Sequence, residues 1–192
     1  GFMEATGRES LQRYPEGHRR MVVAALERDR PIVAANAPRR YVRLARTDGY
    51  ERLQELRDSQ QRYFTLPESL STGGYKERFF EIMGGMRGHS EEETPEGEDD
   101  PMILSFFRSQ NVWDATMADS VARTMDSGSY PVVLVVGQFH SDFEGGTTSR
   151  LRELRPGARV MTISVQPVWS LELREEDRDR ADAVIYIGPS EE

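Results

Sequence analysis

The stretch that most restricts what this chain can fold into runs from Pro131 to Gly146. Val132 to Val136 are five apolar residues without a polar break, and four of them are β-branched. Such a run predicts a strand covered on both faces, as in a parallel sheet. Gly137 ends it, and His140 follows three residues later. In open α/β sheets, ligands bind in the crevice beyond the C-terminal ends of the strands. A loop histidine is ordinarily solvent-facing or a loop tie. Its position here sets a ligand role for His140 level with that plain reading.

Composition narrows the partners. With 33 acidic against 25 basic residues the net charge is -8, which argues against binding to a nucleic-acid backbone. The chain has no cysteine, so disulfides, thiolate nucleophiles and cysteine-bound metals are excluded. No apolar run reaches the length of a membrane span, and no basic-then-apolar leader opens the sequence. A length of 192 residues predicts a single domain, 1–192, with a sizeable core.

Alternation of short apolar runs with amphipathic stretches predicts the fold class: α/β, a mainly parallel sheet with helices on both faces. Strands are expected near 31, 132, 160 and 183. Helices are expected at 16–29, at about 49–63, around Phe79 to Met83, over 101–126, and through Leu151 and Leu154. The longest, from Pro101 to Asp126, carries Phe106, Trp113, Met117 and Val121 as its apolar stripe. Gln110 and Asp114 lie one turn apart beside that stripe, where a polar group must be hydrogen-bonded or cost stability. Tying down backbone and lining a polar site remain equal readings for this pair.

Asn36 reads as the N-cap of the helix after the first strand, with Pro38 tolerated in its first turn. Arg39 and Arg40 then oppose the helix dipole, a conflict that a nearby anion, either a carboxylate or a ligand, would remove. Gly145 and Gly146 open a later helix whose amides are candidates for an anion, although the lysine of a nucleotide loop is missing. Residues 88–100 hold seven carboxylates without the spacing of a calcium loop, and read as an exposed, mobile segment.

Three motifs in order carry a family resemblance: Ala35 to Arg39, Gln110 to Ala118 with its Trp113-Asp114 pair, and Gly137 to His140. Arg150 to Pro156 and Ala181 to Val184 fit as well. Over residues 30–187 the chain resembles the ChaN-like haem-binding uptake family of the Tiki and erythromycin-esterase superfamily. In that family the first half opens with a strand ending in a Gly-Glu-x-His motif, which is not seen here. The expectation is therefore a fragment, or a member whose opening was lost. The resemblance implies haem or iron acquisition, and a periplasmic or membrane-associated setting. It also implies a tyrosine as haem ligand, which is not assignable among the seven tyrosines.

The leading reading is a haem-uptake-type protein that holds a small-molecule ligand at the C-terminal edge of the sheet. Haem would be its cofactor, and a homodimer is one arrangement open to it. His140 would supply an axial ligand or a hydrogen bond, Arg39 or Arg40 would meet the propionates, and Asn36, Gln110 and Asp114 would line the site. The alternative is a metal-dependent hydrolase in which His140, helped by Asp114 and Asp142, holds a divalent metal ion that activates water. A degenerate domain without ligand is the third reading.

Overall fold

A computed structural model describes residues 16–86 and 100–189. Contacts divide the chain into two compact units, Gly1–Ala34 and Ala35–Glu192. The first contains helix α1, Glu16–Leu26, whose sequence places Met21, Val22, Ala25 and Leu26 at helical spacing. An ion pair four residues apart, Arg20 to Glu16, lies on its exposed surface.

The second unit is built around a 26-residue helix, α5, Pro101–Asp126. Its boundaries follow from local chemistry. Asp100 accepts hydrogen bonds from the Met102 and Ile103 amides, and Pro101 sits where its missing N–H costs nothing. The rest of the 88–100 acidic segment lies outside the described residues. Three helices pack on α5: α2 (Arg39–Gln54), α4 (Gly73–Met86) and α6 (Gly146–Leu154), while a single turn, α3 (Asp58–Gln61), follows α2. This surrounds the middle of α5, so residues from Ser109 to Met117 other than Trp113 are all buried.

Each neighbour contributes one apolar cluster. Tyr41, Val42, Ala45 and Leu53 of α2 meet Val112 and Phe64, with Trp113 half-buried against them. Tyr75, Phe79 and Phe80 of α4 meet Ile103 and Phe107. Leu151 of α6 meets Ala118, Val121 and Ala122, and Val132, Leu134 and Val160 pack against the same cluster. The second helix begins at Arg39, ten residues before the start expected near Gly49. Gly49 instead kinks the helix at φ 83°, a left-handed conformation that glycine adopts without steric cost.

The sheet is smaller than expected. Among the described residues it consists of β1, Ile163–Gln166, and β2, Ala183–Tyr186, paired in parallel with Ile163 opposite Ala183. Among the described residues the α/β fold is mostly helical with a small parallel sheet, and is not built mainly on such a sheet. Residues 31–35 and 131–136 have no regular secondary structure and join no ladder. Along 131–136 burial alternates instead of being continuous: Val132 and Leu134 face the helices, whereas Val133 is 81% exposed. β-Branched composition favours an extended backbone, but a strand needs a partner at hydrogen-bonding distance.

The expectation of helices on both faces also fails among the described residues. Ile163 and Val165 of β1 point outward, while polar Ser164 and Gln166 are the buried pair. Ile185, Ile187, Met161 and Val135 are likewise exposed. A cleft of about 1110 Å³ opens between residues 130–138 and 156–165, floored by Val121, Met125, Leu151 and Leu154. No described helix is long and apolar enough to cross a membrane.

Candidate functional site

The polar residues of α5 converge with the loop after residues 131–136. A 3-10 turn over Gln138–His140 is closed by the His140 amide donating to the Gly137 carbonyl. It turns the His140 ring toward α5, where Nδ1 lies 2.7 Å from Oδ1 of Asp114. Asp114 is fully buried and the His140 side chain is 17% exposed. Two further donors reach the same carboxylate: the Thr147 hydroxyl to Oδ1 at 2.7 Å, and the Tyr75 hydroxyl to Oδ2 at 2.5 Å. Gln110 donates from Nε2 to the Tyr75 oxygen at 3.1 Å, and the same nitrogen lies 3.2 Å from His140 Nδ1.

This network satisfies a carboxylate that would otherwise be costly to bury. Tyr75 contributes as a neutral donor: burial first, and Asp114 second, push its pKa well above the ordinary phenol range. Packing fixes its ring against Phe107 and Phe139. The other nitrogen of His140, Nε2, has no partner among the described residues and is not sealed from solvent. The edge of Trp113 approaches the imidazole at a centroid distance of 6.5 Å.

The glycine pair after the loop has a steric purpose. A Cβ on Gly146 would overlap the Asp114 carboxylate, and one on Gly145 would overlap the backbone of His140. Their absence lets the N-terminus of α6 settle against Asp114, so the anion nearest that helix start is a side chain of the protein itself. Thr147 is delivered by the same turn.

Of the residues expected at the site, Gln110 and Asp114 both reach His140 and both contact Tyr75. Three others have no contact with this group. Asn36 is exposed and makes no cap; the N-cap of α2 is Pro38, without a side-chain hydrogen bond, because the helix starts two residues later than a cap at Asn36 requires. Arg39 is exposed. Arg40 resolves its conflict with the helix dipole through rings instead of an anion, lying 4.7 Å from the Tyr41 centroid and 5.9 Å from that of Tyr63. Asp142, a candidate metal helper, is occupied by Arg180 at 2.8 Å and by the Ser164 hydroxyl at 2.9 Å. Tyr75 and Thr147 escaped the sequence reading; the paired glycines before each, Gly73-Gly74 and Gly145-Gly146, were the available signal.

Among the described residues, no three histidine, aspartate or glutamate side chains form a group able to hold a metal ion. A single open imidazole nitrogen with an oriented partner is a donor set that haem, which brings its own four nitrogen donors, would suit better than a bare metal ion. Residues 2–151 match the family model described as haem-binding uptake, Tiki superfamily, ChaN. The chain belongs to this family. No curated protein and no solved structure matches it. The matched span of this family member includes the whole Asp114–His140 network and ends inside α6.

Proposed function

We propose that this protein binds haem, in an uptake role, with His140 Nε2 as an axial ligand to the iron. The observation that carries this reading is the open Nε2 of a ring whose Nδ1 is held by a buried carboxylate. Histidines that ligate metals commonly donate their second ring N–H to such a partner. When bound, haem would supply the iron centre; the chain's own residues hold and orient the ligand. Trp113 and Phe139 offer apolar surface beside the imidazole. Arg39 is the exposed cation proposed for a propionate, since Ala37 just before it shares the apolar cluster against which Trp113 packs. The divalent-metal hydrolase reading lacks a second and third ligand among the described residues.

Titration of the purified chain with haem tests the proposal. A shifted Soret band and saturable binding are expected, with binding weakened in His140→Ala and retained in His18→Ala and His89→Ala. Equal binding by all three variants would overturn it, as would stoichiometric retention of zinc through His140 in a chain that ignores haem.

A further inference from the structure

Two groups compete for Nδ1 of His140, and they demand opposite tautomers. The Asp114 carboxylate only accepts, so its 2.7 Å contact requires a hydrogen on Nδ1. The Gln110 amide nitrogen only donates, so its 3.2 Å approach favours a bare Nδ1 with the hydrogen on Nε2. In the second state Nε2 would be unable to bind a metal. Distance and charge decide the competition, because charge-assisted hydrogen bonds are shorter and about twice as strong as neutral ones. The Gln110 nitrogen has another outlet, the Tyr75 oxygen at 3.1 Å.

We infer that Asp114 is a positioning residue that fixes His140 in the Nδ1–H tautomer and thereby makes Nε2 a strengthened Lewis base, selective for ferric over ferrous haem. Tyr75 and Thr147 hold the carboxylate in register, and Gly146 leaves the room for it. A carboxylate sharing the Nδ1 proton gives the imidazole anionic character and raises its basicity as a ligand. Anionic donors stabilise the more highly charged iron, since second-shell hydrogen bonding is one of the protein's controls over haem potential. The ferric preference rests on the haem reading above; the tautomer does not.

Nitrogen-15 NMR of the His140 ring in the haem-free chain tests the tautomer directly. The wild-type ring should be the Nδ1–H form, and Gln110→Leu should leave it so. Asp114→Asn, which replaces the acceptor facing Nδ1 by an amide able to donate, should move the hydrogen to Nε2. A wild-type ring in the Nε2–H form overturns the inference even if Asp114→Asn fails to fold, and so does an unchanged tautomer in a folded Asp114→Asn. In the haem-loaded chain, Asp114→Asn should weaken ferric haem binding by about 10- to 100-fold and raise the reduction potential. An unchanged or lowered potential would remove the ferric selectivity. If the tautomer behaves as expected and haem does not bind, the haem proposal fails while the positioning role of Asp114 stands.

Discussion

Asp177 shows how a single carboxylate anchors the end of the chain. It is 2% exposed, yet it accepts from Arg180 at 2.6 Å and from the Tyr186 hydroxyl at 2.7 Å. Burial alone would raise its pKa, but the bonds from Tyr186 and Arg180 outweigh burial and hold it below the ordinary aspartate value. Arg180 continues to Asp142 and stacks over Phe143, which links β2 to the loop carrying His140. In the window just below pH 4 the unfolded chain binds a proton that the folded chain refuses, so stability rises with pH there. The contribution is complete above the unfolded pKa and is lost as pH falls through the folded one. Asp177→Asn should accordingly flatten the loss of melting temperature between pH 4 and 2. A wild-type acid limb unchanged by the substitution would contradict this account.

At the scale of elements, α5 holds its neighbours through polar ties as much as through apolar packing. Asn111 is fully buried, and its Oδ1 accepts from the Ser71 amide, the Ser71 hydroxyl and Arg150. Its amide donates to the Phe107 carbonyl within α5. One side chain thus joins the loop before α4 and the body of α6 to the central helix. Asn111→Ala would leave the Ser71 amide without its acceptor and Arg150 with only the Ser69 carbonyl and the Ser71 hydroxyl, at a cost of about 1–3 kcal/mol. Urea unfolding should show the loss as a lowered midpoint with an unchanged slope. A change within 0.5 kcal/mol would mean that water replaces the side chain. The same helix presents Asp114 one turn further on, so the buried middle of α5 is what gives the His140 network its rigid base.

Across the whole described structure, the feature with the widest consequence is the exposed apolar side of residues 133–135 and 161–165. Val133, Val135, Met161, Ile163 and Val165 are each at least 42% exposed. The backbone of residues 132–136 has no hydrogen-bond partner among the described residues. Exposed apolar patches bind hydrophobic dyes and partners, and unpaired backbone amides lack protection. We expect the isolated chain to enhance the fluorescence of an anilinonaphthalene dye, Val133→Lys to reduce that signal without changing helix content, and the Val132–Val136 amides to exchange among the fastest outside the termini. Strong protection of these amides would show the segment to be paired in solution.

What the sequence determined by itself is what local chemistry decides. The limits of α5 were legible because Pro101, the acidic residue before it and the 3.6-residue apolar period act within a few residues. The contact of Gln110 and Asp114 with His140 was only partly legible: their spacing marked a polar pair on one helix face, and position after a strand-like run marked the histidine. The family match spans residues 2–151, which include the three ordered motifs. Tertiary structure alone decided the rest. Whether Val132–Val136 becomes a strand depends on a neighbour that the run cannot supply. Whether Arg40 meets an anion or two tyrosines depends on where the chain after α2 brings Tyr63. Tyr75 and Thr147 reach Asp114 because α4 and α6 both pack against α5, the second with room made by Gly145 and Gly146. These are contacts between residues tens of positions apart, set by packing around one buried helix, and no periodicity or motif records them.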